Sequence, residues 1–238
     1  AGGLNVMMQF AERLLRKHPQ HITILAPLTT WTLTFLCGTG HVVYTMFPII
    51  SDIALKKGIR PERPMAVASV ASQMAITASP VSVAVVSLVS ILGAAHGIGH
   101  AYSILEILAI SVPASLCGVI VAALWSLRRG KDLDKDPEFQ AKISDPKQRE
   151  FIYGNSETLL NQKFDKRAYW STWIFFAAIL VVVLLGAFSE LRPSYEMKGV
   201  MKPLSMNLVI QMMMLIAGAI ILMACKVKPA DISSGAVF

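Results

Sequence analysis

"LTFLCGTGHVVYTMFP", residues 33–48, sets two glycines and a histidine inside an otherwise apolar run. In a membrane interior an unpaired backbone amide is costly, so a helix is not broken there without cause. Where this stretch sits decides the fold.

The neighbouring runs settle the environment. Residues 102–127 (YSILEILAISVPASLCGVIVAALWSL), 169–188 (YWSTWIFFAAILVVVLLGAF) and 203–224 (PLSMNLVIQMMMLIAGAIILMA) are nearly free of charge. Each has about the ~20 residues that cross a bilayer core. The 238-residue chain is 54% hydrophobic and 16% charged, with mean hydropathy +0.56. A soluble domain does not gather its apolar residues into such runs. The class is an all-α polytopic membrane protein. The net charge of +7 does not point to nucleic acid, because the 22 Lys and Arg fall almost entirely between the apolar runs. That is how cytoplasmic loops are marked, and no basic face interleaved with aromatics appears. The lipid bilayer is the first partner.

Orientation follows from the basic residues. Residues 128–168 carry ten of the 22 and read as a cytoplasmic hydrophilic loop. Helix 102–127 then begins outside, with "HGIGHA" (96–101) facing out. Run 65–95 crosses outward from the inner cluster Lys56, Lys57, Arg60 and Arg63. Helix 169–188 goes out and helix 203–224 returns, delivering Lys226 and Lys228 inside. Residues 4–18 read as a helix end or interfacial helix that meets the inner surface at Arg13, Arg16 and Lys17.

The opening stretch lies between two inner clusters, so residues 20–54 enter and leave by the same face. Their apolar limbs, 22–36 and 42–54, hold fifteen and thirteen residues. At ~1.5 Å per residue the longer reaches roughly 22 Å, short of a ~30 Å core. The pattern predicts a re-entrant hairpin with Cys37, Gly38, Thr39, Gly40 and His41 as its buried tip. Glycine supplies the left-handed or tight conformations of such a tip. The helix from about Val42 offers amide N–H groups and a positive dipole end, which suit an anion.

A second interruption, "SQMAITASPVS" (72–82), falls within run 65–95. Pro80 removes a backbone donor and breaks or kinks the helix around Ala78 and Ser79. Ser72, Gln73, Thr77, Ser79 and Ser82 crowd the break with hydroxyl and amide groups. Proline kinks occur in membrane helices without a binding role, and Ser or Thr often only repair freed carbonyls. A broken helix beside a hairpin tip is nonetheless the geometry of many secondary transporters.

Other residues carry less. His41 fits a proton carrier or a polar packing residue. Asp52 reads as a surface partner of Lys56, and Glu106 as a first-turn carboxylate of a helix entering from outside. His96 and His100, with two glycines between them and no third ligand, read as a solvated loop rather than a metal site. Cys37, Cys117 and Cys225 are far apart and read as packing residues. No paired carboxylates, nucleophile elbow, P-loop or dinucleotide fingerprint is present, which argues against an enzyme, a resident cofactor and an ATP-driven pump. An opening Ala1-Gly2-Gly3 and a polar end suggest part of a longer protein.

Residues 36–93, from "LCGTGHVVYTMFP" through "GIRPERPMAVASVASQMAITASPVS" to "SILG", closely resemble the anaerobic C4-dicarboxylate transporter (Dcu) family, B-type members above all. "LRRGKDLDKDPEFQ" (127–140), "LRPS" (191–194) and "KPLSMNLVIQMMML" (202–215) continue the likeness across essentially the whole chain. The resemblance implies a multi-pass carrier of the bacterial inner membrane that works without oxygen, exchanging fumarate, malate or aspartate for succinate or taking up dicarboxylate with a cation. It implies a proton or sodium ion for coupling, and an ion-transporter-like fold with re-entrant hairpin and broken helix. The chain would hold one incomplete repeat of an inverted-repeat carrier. A homodimer is an admissible assembly, and some B-type members act as co-sensors for a membrane histidine kinase. Hairpin tips of the wider superfamily often read Ser-Asn-Thr. Here the place is taken by Gly38-Thr39-Gly40-His41, without an asparagine for sodium coordination of that style.

The expectation is therefore a transport half over residues 1–127, with hairpin 20–54 and broken helix 65–95. The loop 128–168 follows, and residues 169–238 form two transmembrane helices and the start of the next segment. Substrate binding is expected at Gly38, Thr39, Gly40, His41, Thr77, Ser79, Pro80 and Ser82, with no metal site. The alternative is a dicarboxylate-binding membrane co-sensor or regulatory subunit that does not transport.

Overall fold

The computed structural model describes residues 2–94, 102–154, 158–197 and 200–226. His96, His100, the rest of the 96–101 loop and Lys228 lie outside the described residues.

In chain order the helices are α1 (Gly3–Lys17), α2 (Ile22–Cys37), α3 (Val42–Lys56), α4 (Glu62–Ile76), α5 (Val83–Ala94) and α6 (Ile104–Leu127). Then come α7 (Pro137–Ile143), α8 (Pro146–Tyr153), α9 (Lys166–Ala187), the strands β1 (Ser194–Met197) and β2 (Val200–Pro203), and α10 (Met206–Ala224). Among the described residues, three helices are long and apolar enough to cross a membrane: α6, α9 and α10, of 24, 22 and 19 residues. At ~1.5 Å per residue these lengths match a ~30 Å hydrocarbon core. The chain is a mostly helical membrane protein. The run expected at 65–95 is interrupted, as the proline predicts: α4 stops at Ile76, and α5 begins only at Val83.

The chain divides into two compact units. The first comprises residues 8–82 and 108–162. Its centre is α2 packed along α4, with Trp31, Ala71, Ala75, Ala78 and Val119 forming a buried cluster. Ala71 and Ala75, with Ala78 just beyond the end of α4, keep one face small, so that a neighbouring helix approaches closely. Trp31 fills that face, stacks on Phe35 at 5.2 Å between ring centroids and donates its indole N–H to Ser115 Oγ at 3.2 Å. Within α2, Thr29 and Thr30 donate to the carbonyls of Leu25 and Ala26, so their hydroxyls are satisfied without water.

A charged network ties α1 to its surroundings in this unit. Glu12 is fully buried; its carboxylate pairs with Arg16 at 2.7 Å and accepts from Thr158 Oγ1 at 2.7 Å and Leu159 N–H at 2.8 Å. Gln9 donates to the carbonyls of Leu159 and Gln162. Arg16 also reaches Asp52, which pairs with Lys56 at 2.8 Å, so Asp52 serves two cations rather than the one expected. Burial disfavours the Arg16 charge, but hydrogen bonds and attraction from Glu12 and Asp52 outweigh it and hold its pKa above the ordinary arginine value.

The α3–α4 turn is fixed just as locally. Gly58 adopts φ +67°, and the amides of Gly58 and Ile59 fold back to Leu55 and Ala54, a Schellman-type end for α3. Leu133 N–H donates to Gly58 O at 2.9 Å, Arg60 pairs with Asp136, and Arg63 pairs with Asp132 at 2.7 Å. The two Asp-Pro steps of the hydrophilic loop each start a short helix. Asp136 and Asp145 accept from Glu138 N–H and Lys147 N–H at 3.1 Å, with proline at the first helical position.

The second unit comprises residues 1–7, 83–107 and 163–238, so far as they are described. Here α10 packs on α9 and α5. The segment joining α9 to α10 is an antiparallel ribbon in which Tyr195 faces Lys202 and Glu196 faces Met201. Arg192 donates to the carbonyls of Leu185 and Gly186, which the last turn of α9 leaves without helical partners. Gly3 lies against Ser171 and Thr172, and Thr172 Oγ1 donates to Gly3 O at 3.1 Å.

Candidate functional site

Both interruptions fall within the first unit, and they meet. Gly38 ends α2 in the left-handed conformation, φ +69°, with its N–H donating to Thr34 O at 2.8 Å. A side chain there would be strained by the backbone angle and blocked by space, since a Cβ would lie 2.8 Å from Cγ2 of Val81. Gly40 is buried, and a Cβ on it would stand 2.9 Å from Nε2 of Gln73 and 3.1 Å from Cδ1 of Ile76. The hairpin tip thus rests on the end of α4 and the break that follows it. Glycine is required at position 38 for conformation, and at position 40 a Cβ would displace the Gln73 amide and press on Ile76.

The break winds down before it opens. Ala78 and Ser79 N–H groups turn back to Ala75 and Ile76 carbonyls, and Ser82 N–H donates to Ser79 O at 3.2 Å. Pro80 is buried between them. Ser79 is fully buried and its hydroxyl donates to Phe35 O at 2.7 Å. That carbonyl belongs to the last turn of α2, where four carbonyls lack helical partners.

The expected site residues therefore share one place, but not one role. Thr77 is exposed, and its hydroxyl donates to Met74 O at 2.7 Å; Ser79's proton goes to Phe35. In this arrangement both hydroxyl protons are engaged by backbone carbonyls. Thr39 Oγ1 accepts from His41 N–H at 3.4 Å and keeps its own proton available. His41 is exposed, caps the start of α3 and stands 6.0 Å from the Tyr44 ring. The amides of Val43 and Tyr44 turn back to Gly40 and His41 carbonyls, so the start of α3 offers fewer free donors than its sequence suggests. Ser82 is buried in the break.

Two groups gain weight from the structure. Gln73 borders Gly40, is exposed, and its amide has no hydrogen-bond partner among the described residues. The sequence placed it in the crowded break without singling it out. Thr34 is fully buried one turn before the tip, and its hydroxyl is unpaired among the described residues. No signal in sequence separated it from Thr29 or Thr30, which bond within their own helix. No group of three or more His, Cys, Asp or Glu suited to a metal ion occurs among the described residues.

The chain's relatives can now be set beside this geometry. All of residues 1–238 match the model of the DcuA/DcuB family, described as anaerobic C4-dicarboxylate membrane transporter. The chain belongs to that family. It is 55% identical over its whole length to the anaerobic C4-dicarboxylate transporter DcuB of Escherichia coli O6:H1, covering 52% of that protein. It is 33% identical to the C4-dicarboxylate transporter DcuA of Helicobacter pylori, again over the whole chain and 51% of the relative. Against DcuA of Wolinella succinogenes it is 43% identical over 144 residues, 60% of this chain. The chain spans about half the length of the DcuA/DcuB relatives it matches from end to end. No solved structure matches it significantly.

Proposed function

We propose that this chain serves in a secondary carrier of the bacterial inner membrane that exchanges or takes up C4-dicarboxylates such as fumarate, malate, aspartate and succinate under anaerobic conditions. The observation that carries the reading is the meeting of hairpin tip and helix break, joined by the Ser79–Phe35 hydrogen bond and the seat of Gly38 on Val81. Membership of a transporter family supports it. The hairpin is re-entrant in this proposal, and the tip with the break forms half of a midplane site in an inverted-repeat carrier.

One carboxylate of the substrate lies at the tip, against the Thr39 hydroxyl and the Gln73 amide, beside the backbone of Gly40 and His41. Ser79, Pro80 and Ser82 shape the wall behind it, and Thr77 borders it. No Lys or Arg lies between Thr23 and Leu55 or between Pro64 and Gly93. Neutral donors hold a dianion loosely enough to release it, whereas a fixed cation in the bilayer is expensive and retentive. Coupling to a proton or sodium ion belongs to the same proposal. A second copy and a membrane sensor kinase, as partners, rest on the family resemblance alone.

The test is labelled-succinate counterflow with the full-length protein in proteoliposomes loaded with excess fumarate. Transient, saturable accumulation is expected. Succinate binding without accumulation favours the co-sensor reading and overturns transport; entry without saturation indicates a channel.

A further inference from the structure

The end of α6 bears a feature that the transport reading does not use. An open cleft of about 1100 Å³ lies between the start of α4 and the end of α6. Its floor is apolar: Val121, Leu124 and Trp125 are 66%, 51% and 71% exposed. Four arginines line its rim, Arg60, Arg63, Arg128 and Arg129. Two of them are already engaged, Arg60 with Asp136 and Arg63 with Asp132. Arg128 and Arg129 are exposed and have no carboxylate partner among the described residues. Glu62 also lines the cleft, and with Asp132 and Asp136 it leaves the four arginines in excess.

We propose that this cleft binds an anionic phospholipid, its phosphate on Arg128 and Arg129 and an acyl chain along Val121 and Leu124. The axial order of groups supports the choice. α6 is long and apolar enough to cross a membrane and ends at Leu127, which puts the apolar floor at the edge of the hydrocarbon and the two arginines at headgroup depth. Trp125 sits where indole rings collect at the membrane–water boundary. Counting basic residues assigns this end to the cytoplasmic leaflet, where anionic lipids attract Lys and Arg. A free anion would satisfy the arginines and leave the floor uncovered. A zwitterionic lipid would cover the floor without matching the excess charge. The inference requires the membrane, not the transport reading.

The test uses the full-length protein in phosphatidylcholine nanodiscs containing a small fraction of brominated lipid, which quenches nearby tryptophan. The Trp125 signal is the difference between wild type and Trp125→Phe. Brominated phosphatidylglycerol is expected to quench that signal well above brominated phosphatidylcholine at the same fraction, since each surface arginine enriches anionic lipid about fivefold. Arg128→Gln with Arg129→Gln is expected to bring the two lipids level. Equal quenching in wild type, or a preference that persists in the double variant, overturns the proposal. So does loss of the preference on adding millimolar inorganic phosphate, which would mark a soluble-anion site. The wild-type comparison decides even if the variant fails to fold.

Discussion

The Ser79 hydroxyl donates a 2.7 Å hydrogen bond to the carbonyl of Phe35, closing the end of α2 with a side chain from the break after α4. Two helix interruptions 44 residues apart in sequence thereby satisfy each other. Ser79→Ala removes that partner from the carbonyl of the half-buried Phe35, a cost of about 0.5–1.5 kcal/mol. The expected result is a lower melting temperature for the detergent-purified protein, with Thr39→Ala melting close to wild type. Equal melting of wild type and Ser79→Ala would show that the bond contributes nothing.

Gly38 is intolerant on two counts that can be separated. Gly38→Ala meets both the left-handed backbone penalty, about 1–2 kcal/mol, and the side chain of Val81. Adding Val81→Ala removes the Cγ2 clash and leaves the backbone angle and the 3.3 Å approach to the Val81 carbonyl. The double variant is expected to recover part of the folded yield lost by Gly38→Ala, measured by size-exclusion chromatography. No recovery would assign the effect to the backbone angle and the Val81 backbone rather than to the Val81 side chain.

Gln73 and Thr39 are the donors left available at the tip. Removing one hydrogen bond to a carboxylate costs about 1.5–3 kcal/mol, or roughly ten- to a hundredfold in affinity. Gln73→Leu and Thr39→Val are each expected to raise the half-saturation concentration for succinate counterflow by that order, with folded yield unchanged. Unchanged half-saturation in both would remove the tip from the binding site.

Glu12 anchors the junction of α1 with residues 158–162. Its replacement by alanine leaves Arg16 with Asp52 alone and strands the Thr158 and Leu159 donors. Breaking a buried pair typically costs about 3–5 kcal/mol, and the low end applies because Arg16 is partly solvated. Glu12→Ala is expected to lose most folded protein, and Glu12→Gln, which keeps the shape, to lose less. Equal yields for both variants would mean that the loss of charge, not of shape, sets the cost.

The re-entrant hairpin makes a prediction about sidedness. Cysteines placed at the exposed positions of Lys17 and Lys57 should react with an impermeant thiol reagent from the same face of the membrane. Gly58 is unsuitable, because a Cβ there would press on the Asp134 carboxylate. Labelling of the two from opposite faces would replace the hairpin with a full crossing.

The sequence made the interruptions legible because glycine and proline act on their own backbone. Gly38 and Pro80 mark the end of α2 and the gap between α4 and α5 wherever the rest of the chain lies. The three membrane helices were legible for a similar reason, since length and charge are local properties, and their ends moved by only a few residues. What stayed hidden depends on pairs. The weight of Glu12 was hidden because Thr158 and Leu159, which share its carboxylate with Arg16, lie some 146 residues away. The Ser79–Phe35 hydrogen bond was hidden because nothing local reveals an acceptor 44 residues away. The ribbon at 194–203 was hidden because ribbon pairing is set by the register of two short strands.

The two ends of the α2–α3 hairpin are held by unlike forces. The foot beyond α3 is fastened through Arg60 to Asp136, Arg63 to Asp132 and Gly58 to Leu133, whereas the tip is held by van der Waals contact and the single Ser79 hydroxyl. Such a bond contributes about 1 kcal/mol net, and a partly exposed ion pair contributes no more, so neither end is held by any one contact. The foot is accordingly set by charged partners from the hydrophilic loop, and the tip by the shape of the helix break on which it packs.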